Sequence, residues 1–155
     1  MAQRLSDQAA AMTEPSSLLS AFRAAAHDCA LEMMRNADFI RAELPTLGLD
    51  ASLARPIHDV CDALLATKHD VVSEVRELAD ASDPADRARR VERIVRWLGE
   101  EAPKLHAVVT ALQASADADP RAGSAFLLVA ESAVNVMRSR AAVDKAAQRI
   151  DTAAS

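Results

Sequence analysis

Glycine occurs three times in 155 residues, tyrosine not at all, and aromatic residues make up only 3% of the chain. Loops that cradle phosphate with backbone N–H groups need glycines at fixed offsets, so this scarcity nearly excludes a nucleotide-binding loop or a dinucleotide fingerprint. A nucleophile elbow and a Cys-x-x-Cys pair are also missing. These absences point away from an enzyme, and no cofactor is expected.

Cysteine is equally sparse. Cys29 and Cys61 are too few for a disulfide framework, and both sit inside apolar helical patterns, where a free thiol behaves as a small hydrophobe. There is no excess of positive charge either. With a formal net charge of −5, the chain lacks the counterion-displacing surface of a general nucleic-acid or anionic-membrane binder, so neither partner is expected. The longest apolar stretch, residues 124–137, is too short to cross a bilayer and is interrupted by Glu131 and Asn135. The first residues carry no signal-peptide core, and the expectation is a cytoplasmic location.

What remains is a chain half hydrophobic and 26% charged, rich in alanine, with short β-branched runs. Alanine is the best helix former and lets helix backbones approach closely. The chain therefore reads as all-α. Residues 1–14 have weak periodicity and read as a loose leader, and 15–155 as a single helical-bundle domain. After Pro15, Ser16 or Ser17 can cap a first helix with the core stripe Phe22, Ala26, Cys29, Met33, Ala37, Ile40 and Leu44, ended by Pro45 and Gly48. A second helix, starting near Asp50 or at Pro56, carries Ile57, Val60, Cys61, Leu64, Val71, Val75 and Leu78, with Thr67 or Lys68 filling the missing turn.

Asp83-Pro84 and Asp119-Pro120 are matched helix starts: a carboxylate that can accept from free N–H groups, then a proline whose φ is already helical. Helix three carries Val91, Ile94, Val95, Leu98, Leu105, Val108, Val109 and Leu112. Pro103 deprives the Gly99 carbonyl of its partner, so a kink or split at 99–103 is expected. Helix four runs from Pro120 to about Ile150. Four long helices on short connections make antiparallel neighbours, and the expected architecture is an up-down-up-down four-helix bundle.

Three His-Asp dipeptides invite a chemical reading: His27-Asp28, His58-Asp59 and His69-Asp70. Imidazole and carboxylate close together on a helix can bind metal, and a bundle histidine can accept a phosphoryl group. His27, His69, His58 and Asp62 are the alternative site on that reading. Against it, no Glu-x-x-His occurs, and no Lys-Gly follows any histidine.

Surfaces offer the better reading. Arg89, Arg93 and Arg96 share one face of helix three and can grip an acidic partner, or bridge to the acidic first helix at Asp28, Glu32 and Asp38; Trp97 beside them fits an interface anchor or a core-edge residue. Helix four is apolar on every side between 124 and 137, which exceeds what one face of a bundle can hide. Val129, Glu131, Ser132, Asn135 and Val136 are the expected contact residues there. The sequence-level expectation is a non-enzymatic protein-protein interaction module, an adaptor, scaffold or chaperone-like bundle with a protein partner, and a homo-oligomer through helix four with a dimer favoured.

Overall fold

A computed structural model of the chain describes residues 15–154, so the leader expected over 1–14 lies outside the described residues. Five helices follow one another, with no strand among the described residues: α1 Pro15–Leu47, α2 Ala51–Asp80, α3 Pro84–Gly99, α4 Glu101–Ser115 and α5 Pro120–Ala154. The fold is all-α.

The helices form where the apolar spacing places them, and the punctuation shows why they stop. Gly48 takes φ +60°, a left-handed conformation that an L side chain rarely adopts, and it turns the chain from α1 into α2. Pro45 does not end α1, as its sequence position implied; the helix passes through it to Leu47. A proline this close to the C-terminus removes only one N–H bond near an end whose last carbonyls lack partners anyway. The second helix likewise begins at Ala51, after Asp50, and contains Pro56.

Both Asp-Pro starts are realised. The Asp86 N–H donates to the Asp83 carboxylate at 3.3 Å, and the Arg121 N–H donates to Asp119 at 3.0 Å. The interruption in the third helix falls at Glu100, which keeps helical dihedrals of φ −70° and ψ −22°, so α3 and α4 continue one another with a bend of only 4°. Placing the break there makes Pro103 the third residue of α4, where its missing N–H would have had no intrahelical acceptor. The helix splits just ahead of its proline and hardly bends.

Three side-chain links set the neighbours antiparallel. Arg41 pairs with Asp62 between α1 and α2, Glu74 accepts from Arg90 at 2.8 Å between α2 and α3, and Asn135 donates to Asn36 at 3.3 Å between α5 and α1. The Arg121 guanidinium closes one end of the bundle on the Gly48 carbonyl at 2.8 Å. With α4 against α5, the helices surround one core. Every residue of the stripes expected for the first two helices is buried in it; on α3 and α4 only Val95 and Val109 stay partly exposed, at its edge.

Candidate interaction surface

Helix α5 is apolar all round, so its own periodicity does not say which side faces in; its neighbours decide. Ala125, Val129, Ser132, Val136 and Val143 turn into the core and are buried, Val129 completely. Asn135 sits on the flank toward α1, held by Asn36, whose amide also donates to the Glu32 carbonyl at 2.7 Å. Of the contact residues expected on α5, the structure thus places Val129, Ser132 and Val136 under the surface and Asn135 in an internal hydrogen bond. Glu131 alone of the five is exposed.

The apolar surface left over belongs to other residues of the same helix. Leu127 is 68% exposed, Val134 50% and Met137 55%; with Phe39 of α1 they are the exposed large hydrophobics among the described residues. Leu127, Ala130, Val134, Met137 and Ala141 are spaced three and four apart and make one outward stripe, the spacing of a helix-pairing seam. Beside it α4 contributes Ala102, Pro103, His106 and Val109, and the two helices bound an open, mostly apolar groove of about 740 Å³. Arg140 closes one end, its guanidinium lying against the Gly99 backbone, where a Cβ on residue 99 would come within 3.0 Å of it. Glu131 and Arg138, seven residues apart, flank the stripe on the α1 side; both are exposed, and neither forms an ion pair among the described residues.

The arginine face of α3 is occupied within the molecule. Arg90 donates to Glu74 at 2.8 Å and to Asp86 at 3.0 Å, and Arg93 reaches Glu74 at 3.3 Å while its guanidinium stands 6.0 Å over the Trp97 ring. The Arg90 hydrogen bond holds the Asp86 carboxyl below the usual carboxylate range. These ion pairs run to Glu74 of α2; Asp28, Glu32 and Asp38 of α1, the acidic groups expected to receive them, are not the partners. Arg89 makes a 3.6 Å pair with Asp86, Arg96 is exposed, and Trp97 is partly buried against the core. The patch is a brace between α2 and α3 with an exposed margin.

Two buried carboxylates have no counterpart in the sequence reading. Glu74 is 8% exposed and Glu101 1%. Glu101 accepts from the Thr67 hydroxyl at 2.7 Å and from Lys104 at 3.4 Å, so Thr67 fills its turn of α2 by reaching across to α4. Glu101 stands in the first turn of α4, where a carboxylate complements the positive end of the helix dipole.

His27, His58, His69 and His106 are all exposed, and Asp62 is engaged by Arg41. Among the described residues no three His, Cys, Asp or Glu side chains gather where they could hold a metal ion, so the structure does not bring the alternative set together. The cysteines are buried and unpaired, and burial pushes the Cys29 thiol up to about 12 and Cys61 to about 11. No helix among the described residues is long and apolar enough to cross a membrane. No protein-family model, curated protein or solved structure matches the chain.

Proposed function

We propose that this protein is a non-enzymatic protein-protein interaction module, an adaptor, scaffold or chaperone-like bundle, that self-associates through α5. One observation carries the reading: three large apolar side chains, Leu127, Val134 and Met137, each at least half exposed, stand on one stripe of one helix beside an apolar groove. Singly exposed hydrophobics are ordinary, whereas a contiguous patch rimmed by charge marks a contact surface. The arginine and tryptophan patch on α3 is the weaker surface, because Arg90 and Arg93 are tied to Glu74 and Arg89 and Arg90 to Asp86, which leaves Arg96 as its exposed margin. A homo-oligomer, with a dimer as the simplest closed form, covers the stripe with itself. Light-scattering mass over a dilution series is the test. The expected result is a mass above that of the single chain at tens of micromolar, falling toward it on dilution; a single-chain mass throughout overturns self-association.

A further inference from the structure

We infer that the occupant of the α5 stripe is the α5 of a second copy, running antiparallel, with its register fixed by two mutual ion pairs between Glu131 of each chain and Arg138 of the other. The inference rests on the self-association reading above and deepens it. Its grounds are charge and spacing. Glu131 and Arg138 lie seven residues apart, about two helical turns, and so project from the same edge of the apolar stripe; both are exposed and without an ion pair among the described residues. An edge carrying one acid and one base at that interval is self-complementary under a two-fold axis. If the axis passes between Val134 and Met137, each Glu131 meets Arg138 of the second copy, and the reciprocal pair forms by symmetry.

The same register packs the apolar seam. Val134 of one copy falls against Met137 of the other, twice over, and Ala130 falls against Ala141, two small residues that let the backbones approach. Leu127 then lies over the second copy's Asp144–Lys145 segment, where the lysine stem offers apolar cover. The competing antiparallel register, one heptad earlier, sets Leu127 against Met137 but brings the two Glu131 carboxylates face to face. Like charges opposed across a contact cost several-fold to many-fold in affinity, so the charge pattern selects the first register over the second. Phe39 extends the surface on α1: the Asn36–Asn135 and Gly48–Arg121 links set the α1 to α5 register and bring Phe39 to the level of Glu131.

Charge exchange tests this directly. Sedimentation velocity on the full chain compares the native protein with E131R, with R138E, with the double exchange E131R/R138E and with an equimolar mixture of the two single variants. Both positions are exposed, so the helices should remain, and circular dichroism verifies that they do. Each single variant is expected to raise the dimer dissociation constant by roughly a hundredfold. The double exchange and the mixture restore the dimer, because an E131R chain and an R138E chain oppose arginine to glutamate at both pairs. If the native chain dimerises and every variant matches it, the interface lies elsewhere: the inference falls and self-association stands. If R138E matches the native chain while the mixture of the two single variants dimerises more tightly than it, the register is the rejected one and the inference falls likewise. A native chain that never dimerises removes both.

Discussion

Phe22, Ile40, Leu64, Leu78, Ile94 and Leu112 sit on stripes spaced three and four apart, and each is essentially inaccessible. Their burial was legible because each stripe is one-sided. The buried carboxylates Glu74 and Glu101 were not legible. Their partners Arg90 and Thr67 are 16 and 34 positions away, and nothing local marks a glutamate as buried when the group that satisfies it comes from another helix. The thiols give a prediction at this scale. Cys29 and Cys61 have pKa values raised by burial above their unfolded value near 9, so the folded state keeps protons that the unfolded chain gives up. Their contribution to stability is complete below pH 9 and is lost as pH rises from there toward 11 and 12. Across that window each thiol should contribute a slope approaching about 1.4 kcal/mol per pH unit. Urea denaturation at stepped pH checks it: a C29A/C61A variant should lose less stability between pH 9 and pH 11 than the native chain does, and equal losses would contradict the assignment.

Among the elements, α5 separates what periodicity reveals from what only packing reveals. Helices α1 and α2 declare their inner faces in sequence. Helix α5, with Ala125, Phe126, Leu127, Leu128 and Val129 in succession, declares none; the choice is made by α1 on one flank and α4 on the other. That is why Val129 and Val136 went to the core while Leu127, Val134 and Met137 took the surface. Pro103 teaches the opposite lesson, since the carbonyl it strands is that of Gly99, and the helix breaks at the next residue, as the sequence required. A paired substitution tests the facing of α5. Val129→Asp puts a charge without a partner into a fully buried site and should destabilise the monomer by about 3–5 kcal/mol, whereas Val134→Asp should change its stability by no more than about 0.5 kcal/mol. Denaturation at high dilution, where association is absent, reads both. Comparable losses would mean that the inner face of α5 has been assigned to the wrong residues.

For the molecule as a whole, the bundle closes its core with ordinary means: short turns, antiparallel neighbours and ion pairs between adjacent helices. The outer stripe of α5 is the surplus, and at this scale the charges make sense of it. Arg90 and Arg93 are tied to Glu74 and brace α2 against α3, while Glu131 and Arg138 beside the stripe form no ion pair among the described residues. The central claim is that this face, and not the tryptophan patch, is where the chain meets its partner copy. Methyl NMR on the native protein, followed from high concentration through dilution, tests it most directly. The account predicts that the Leu127, Val134 and Met137 methyl signals shift together as the dimer dissociates, while Val129 and Val136, sealed in the core, stay where they are. Shifts confined to the surroundings of Trp97, with the α5 stripe unchanged, would contradict it.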